Sequence, residues 1–184
     1  MNPYMMNRED VAAIGIDLQE KLMPAMAGQE EVEANTVKFL EGLKVFGIPR
    51  IFSQQYTRGL GETIASVKAA AGEDATFIEK RSFSAMKAEG FPEAVKDTGK
   101  KTIMIFGVES HVCMMQTSFD LLAAGYEVYV ISDCCTSRRT DDHQEAMNRL
   151  GAAGATVTTY EAALFELLVT SESPDFKAIS NIVK

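Results

Sequence analysis

Positive charge is in short supply in this chain: 18 Lys and Arg stand against 26 Asp and Glu, giving a net charge of −8 and a pI near 4.8. Binding along a nucleic-acid backbone draws its affinity from cations that neutralise phosphates, and no block of Lys or Arg is present to do so. Nucleic acid and anionic membrane are therefore both disfavoured as partners. Long apolar runs are missing as well, since no uninterrupted stretch approaches the roughly 20 residues that span a bilayer. The opening MNPYMMNREDVAAIGID has neither a basic start before a long apolar core nor a small-residue cleavage site, so no leader is read there. Cysteine is scarce: there are three, an odd number, and Cys134 and Cys135 are adjacent, a poor geometry for an ordinary bridge. That usage points to a reducing cytoplasm. Internal repeats, linkers and low-complexity segments are absent. The loop TRGLGET has only Gly59 and Gly61 and does not follow the first strand, so it lacks the phosphate-cradling fingerprint of a flavin- or nicotinamide-binding domain.

What is present suits one α/β domain spanning 1–184. The 184 residues are enough to bury a sizeable core, and 46% apolar against 24% charged is the balance of a soluble globular protein. Apolar, β-branched runs over residues 10–16, 50–55, 75–78, 102–106, 126–132 and 155–159 read as six strands. Helical spacing fills 29–46, 63–71, 89–98, 113–124, 140–153 and 160–168 between and after them, and the tail from 171 packs late or stays mobile. Strands alternating with helices predict a three-layer α-β-α domain with a six-stranded, parallel, doubly wound, Rossmann-like sheet. With right-handed crossovers and the order 3-2-1-4-5-6, strands one and four are neighbours at the switch point, where ligands bind beyond the carboxyl ends of the strands.

Three residues draw attention at those ends. Asp17 closes the first strand, where a carboxylate serves either as a catalytic group or as an ordinary turn or cap residue. Lys80 follows the third strand, in a place that suits a pocket lysine or a solvated one. Cys113 follows the break at Gly107 and stands in the first turn of a helix. Dipole and free N–H groups there favour thiolate over thiol, the setting of a nucleophile, although a free cysteine is also at home as a small buried apolar residue.

Taken together, Asp17 in IGIDLQEKL, Lys80 in EKRSFS and Cys113 in GVESHVCMMQTSFDLLAAGYEVYVISDCCTSR make a pattern that resembles the isochorismatase-like cysteine hydrolases, which include nicotinamidase and N-carbamoylsarcosine amidase. The resemblance runs from about residue 10 to 168, and TRGLGET is similar to the small isochorismatase-domain members. It implies a hydrolase in which Cys113 attacks the carbonyl carbon of a small amide or other C–N-bonded acyl compound to form a thioester. In that scheme Asp17 is the general base and acid, and Lys80 a fixed positive charge beside both. It also implies a cis peptide between Val108 and Glu109, with the backbone N–H groups of Glu109 and Cys113 as the oxyanion hole. Such donors are typically worth about 2.7–4 kcal/mol each. Gln19, Tyr56 and Phe83 are candidates to line the pocket, with plain packing equally open.

Two departures bear on the substrate. The nicotinamidase-type metal site needs an Asp and two His after strand two, where this chain reads SQQYTRGL, and His111 and His143 are its only histidines. No metal and no cofactor are expected. Isochorismatase itself lacks the cysteine and splits a vinyl ether, so Cys113 tilts the expectation toward acyl transfer. His111, Cys134 and Cys135 read as structural. The expected partners are a small-molecule substrate and, from the family, further copies of the chain as a dimer or larger homo-oligomer. The competing reading keeps the fold as a catalytically silent interaction or regulatory protein.

Overall fold

The computed structural model describes residues 4–184; the first three residues, where the reading of no leader begins, lie outside it. Six strands form one parallel sheet: β1 Val11–Ile16, β2 Arg50–Gln55, β3 Thr76–Lys80, β4 Thr102–Val108, β5 Glu127–Thr136 and β6 Thr156–Thr158. Their order is β3-β2-β1-β4-β5-β6, as predicted. β1 and β4 are buried at every position, which is why they read as continuous apolar runs rather than alternating ones.

Among the described residues eight α-helices accompany the sheet: α1 Gln29–Phe46, α2 Thr57–Leu60, α3 Ala65–Ala71, α4 Phe91–Asp97, α5 Met115–Ala123, α6 Thr140–Ala152, α7 Tyr160–Leu168 and α8 Phe176–Val183. α1 packs with α3, α7 and α8 on one face, while α5 packs with α6 and α4 lies on β2 on the other. The long α1 buries Val32, Phe39, Leu40, Leu43 and Phe46 along one stripe, a helical spacing that only a core-facing helix needs. It stops at Gly47, whose φ of 67° permits the left-handed cap: Gly47 N–H returns to the Lys44 carbonyl at 3.0 Å and Ile48 N–H to the Leu43 carbonyl at 3.0 Å.

Three local readings need correction, and a fourth, left open between two alternatives, is decided. TRGLGET is not a plain loop, because Leu60 N–H reaches the Tyr56 carbonyl at 3.0 Å and Gly61 N–H the Thr57 carbonyl at 2.9 Å, closing the single turn α2. β3 runs on to Lys80 itself, since Glu79 and Lys80 still pair with Gln54 and Gln55 of β2. β5 continues to Thr136 and takes in Cys134 and Cys135. Opposite β4 the register jumps from Ile105–Val130 to Gly107–Cys135, so β5 bulges and then rejoins the sheet, a device single-sequence periodicity does not register. The tail from 171 forms α8, which buries Ile179 completely, and Asp175 at its start pairs with Arg8 at 2.7 Å.

Gly107, at that register jump, also brings β4 close against β1. Gly107 has φ +120°, and a Cβ there would stand 2.2 Å from the carbonyl oxygen of Ile16. Only glycine lets β4 pass this close to β1, one residue before Asp17.

Candidate active site

At the carboxyl end of β1 the chain turns sharply. Asp17 donates its N–H to the Ser53 carbonyl at 3.1 Å and accepts from Gln19 N–H at 2.7 Å, with φ of 52°, a left-handed conformation that Asp tolerates better than most residues. The turn sends its carboxylate inward. Oδ1 accepts from Ser53 Oγ at 2.7 Å, and Oδ2 lies 2.7 Å from Lys80 Nζ. Both charged side chains are 0% exposed. The ammonium has two further acceptors, Gln55 Oε1 at 2.6 Å and the Ser82 carbonyl at 3.2 Å. Such a pair gains little net stability over an apolar replacement, so its retention at the switch point asks for another reason.

Cys113 arrives from the neighbouring strand. After β4 the Val108–Glu109 peptide is cis, and Ser110–Met114 forms a single π turn that runs into α5. A π turn is a frequent accompaniment of functional sites because it re-aims side chains without ending the helix. This one is held by Thr117, whose hydroxyl donates to the Cys113 carbonyl at 2.7 Å and accepts from Ala85 N–H at 2.9 Å. Cys113 is only 8% exposed.

The thiol is near enough to both Asp17 and Lys80 to feel each of them, with a net outcome opposite to the thiolate expected from a helix start. Burial, then the Asp17 carboxylate, push it up to about 12, against the weaker opposing pull of the Lys80 ammonium. Desolvation and a facing anion outweigh the dipole. Burial and the facing Asp17 side chain thus both favour the protonated thiol over the thiolate. Alkylation of Cys113 by iodoacetamide should be slow at neutral pH and climb about tenfold per pH unit well past pH 9, the regime below a pKa near 12. Peptide mass spectrometry at the three cysteines reads this directly.

Cys134 and Cys135 are buried within β5, and Cys135 Sγ donates to the Ile131 carbonyl at 3.1 Å. Burial raises both thiols, Cys135 to about 12. Folded Cys113 and Cys135 keep protons that an unfolded chain releases near 9.0, so stability falls as pH rises from about 9 toward 12. The melting temperature should decline across that window, and less steeply in Cys135→Ala.

Of the candidate lining residues, Gln19 is fully buried and its amide is spent within the protein: Nε2 donates to the Gln55 and Gly61 carbonyls and Oε1 accepts from Gln55 N–H. Tyr56 and Phe83 are on the surface, Tyr56 lying under the Arg81 guanidinium at 3.9 Å. The Glu109 carboxylate accepts from Arg138 N–H at 3.1 Å and Nε at 3.0 Å. His111 Nδ1 shares a hydrogen bond with Ser137 Oγ at 2.9 Å. A cleft of about 310 Å³ adjoins the end of β3, lined by Lys80, Arg81, Ser82 and Lys87 among others. A larger cavity of about 510 Å³, lined by Lys68, Gly72 and Phe77, lies at the opposite end of the same strand. Among the described residues no cluster of three or more His, Cys, Asp or Glu is poised for a metal, and no helix is long and apolar enough to cross a membrane.

Sequence reasoning passed over Ser53 and Gln55. They are two apart on β2, hence on one face of the sheet, and one meets Asp17 and the other Lys80. Their signal was faint, because they sit in an unbroken polar run, Ser53-Gln54-Gln55, that closes β2 without any alternation to mark a face. Ser53→Ala removes a hydrogen bond to a buried carboxylate and should cost about 1.5–3 kcal/mol in urea unfolding.

Residues 11–162 match the isochorismatase domain. The chain is 36% identical to isochorismatase domain-containing protein 1 of Salmo salar over 168 residues, 91% of this chain and 59% of that protein, so it spans well under two thirds of that relative. Among solved structures, the MAR1 ribonuclease of Caenorhabditis elegans superposes with a TM-score of 0.92 at 30% identity, covering 97% of this chain and 92% of its own. The YcaC gene product of Escherichia coli, described as an octameric hydrolase of unknown specificity, superposes at 0.92 with 25% identity, covering 99% and 91%.

Proposed function

The chain belongs to the isochorismatase family, and from that premise we propose that it is a metal-independent cysteine hydrolase that cleaves a small amide or related C–N-bonded acyl compound. The observation that carries this reading is the Asp17–Lys80 ion pair, fully buried beside the Cys113 thiol. Asp17 takes the thiol proton as Sγ bonds to the carbonyl carbon, and the carbonyl π electrons move to oxygen. The N–H groups of Glu109 and Cys113 receive that oxyanion. Its collapse breaks the C–N bond, and the proton held by Asp17 leaves with the amine. Water then gives a proton to Asp17 and its oxygen to the thioester, and the proton returns to sulfur as the carboxylic acid departs. Lys80 holds its charge throughout, lowering the cost of both anions in a dry site.

Metal independence is supported by the segment SQQYTRGL, which offers neither carboxylate nor imidazole after β2. Homo-oligomerisation is supported by the octameric relative. The ribonuclease of Caenorhabditis elegans is a weaker guide for this chain, whose net charge of −8 suits a small substrate better than a phosphate backbone. One observation favours the silent alternative: Cys113, Asp17 and Lys80 are all nearly closed off from solvent. A panel of small primary amides, assayed for ammonia release, separates the two. The proposal expects release by the parent with at least one amide and none by Cys113→Ala. Equal release by both proteins would remove the cysteine mechanism, and none by either would favour the silent protein.

A further inference from the structure

Beside the three groups of that triad, one more side chain is built into the same charge network with each of its polar atoms engaged. Gln55 ends β2 in register with Lys80 at the end of β3. Its Oε1 accepts from Lys80 Nζ at 2.6 Å, and its Nε2 donates to the Arg81 carbonyl at 2.9 Å. The second bond decides which end of the amide faces the lysine, because a flipped amide would set N–H against N–H on one side and oxygen against oxygen on the other. The backbone is clamped as well. Gln19 Oε1 accepts from Gln55 N–H at 2.7 Å, while Gln19 Nε2 donates to the Gln55 carbonyl at 2.9 Å and to the Gly61 carbonyl at 2.6 Å.

The consequence follows from counting hydrogens. Lys80 Nζ meets the Asp17 carboxylate, Gln55 Oε1 and the Ser82 carbonyl, acceptors all. An ammonium, with three hydrogens and no lone pair, donates to Gln55 Oε1 and the Ser82 carbonyl and pairs its charge with Asp17 Oδ2, whereas a neutral amine would turn its lone pair on an acceptor. The groups facing it are Asp17 from the end of β1, Gln55 from β2, Ser82 beyond β3 and Cys113 from the π turn; of these Asp17 and Cys113 can titrate. Resting on the reading that Asp17, Lys80 and Cys113 form a working triad, the geometry points to Gln55 as its positioning residue: a neutral acceptor, anchored by Gln19, that holds the Lys80 ammonium in place beside the base and the nucleophile. Neutrality is part of the role. A carboxylate there would also bind the ammonium, but it would add a second negative charge beside a thiol that must become an anion.

Iodoacetamide alkylation of Cys113, followed by peptide mass spectrometry from neutral to alkaline pH, tests this in the parent and four variants: Gln55→Met, Gln55→Glu, Lys80→Met and Gln55→Met with Lys80→Met. Circular-dichroism melts check that each is folded, and Cys134 is the internal control. Gln55→Met should slow Cys113 on the order of tenfold at each pH, the equivalent of about one unit in its profile. Gln55→Glu, which keeps the shape of the amide, should slow it at least as much and serves alone if Gln55→Met does not fold. The double variant should be no slower than Lys80→Met, because a residue that acts through another adds nothing once that other is gone. Parental rates in both Gln55 variants, or equal slowing with and without Lys80, would overturn the role. An unchanged rate in Lys80→Met would sink the triad first, and that result is read separately from the Gln55 comparison.

Discussion

Lys80→Met should destabilise the protein by about 3–5 kcal/mol in urea unfolding, among the largest effects any single substitution here can have. The reason is what remains rather than what is lost. With the ammonium gone, Asp17 keeps Ser53 as its hydrogen-bonding partner and is otherwise an uncompensated charge in a site sealed from water. A second substitution should rescue much of that loss. Adding Asp17→Asn to Lys80→Met removes that charge, and the double variant should regain much of the lost stability although it has lost both partners. If the double variant were instead as unstable as the two single losses added together, the buried pair would not be the coupled unit its geometry describes.

Cys113→Ala should leave the fold nearly untouched and hydrolysis nearly absent. The side chain is small and makes no hydrogen bond that holds the π turn; that task falls to Thr117 through the Cys113 carbonyl, which alanine retains. Removing the nucleophile of a covalent triad costs on the order of a millionfold in turnover elsewhere, because the remaining members cannot act without it. Asp17→Asn should lose nearly as much, since the Cys113 thiol is protonated at rest and needs a base to be activated. Melting curves and turnover measured on the same samples separate a chemical loss from an unfolded one.

How far the site could be read from sequence depended on what each residue's role requires. Asp17, Lys80 and Cys113 are polar or reactive residues at the ends of apolar runs, and the strand order inferred from alternating elements was enough to bring Asp17 and Cys113 together; Lys80, on the edge strand β3, joined them only through the family resemblance. Ser53 and Gln55 escaped notice because their roles arise between strands: each acts on a residue of a different neighbour, β1 or β3, in a register that only the assembled sheet specifies. Which of the two readings of Cys113 the fold favours was not legible locally either. A helix start is a local feature, whereas the burial and the facing carboxylate that overrule it come from the core and from β1. The extent of β5 was missed because the chain bulges after Val130 and rejoins β4 at Cys135, which breaks the period that marks a strand.

A thioester on Cys113 can be shown by trapping the acyl group on sulfur. The protein would be mixed with p-nitrophenyl acetate, a small activated acyl donor, quenched in acid, and mapped by peptide mass spectrometry. The account predicts a burst of p-nitrophenol with acetyl found on Cys113 and not on Cys134 or Cys135. It further predicts slower acylation in Lys80→Met and Asp17→Asn, and no burst in Cys113→Ala. Hydrolysis that persists in Cys113→Ala, or acetyl spread over the cysteines without preference for Cys113, would contradict it.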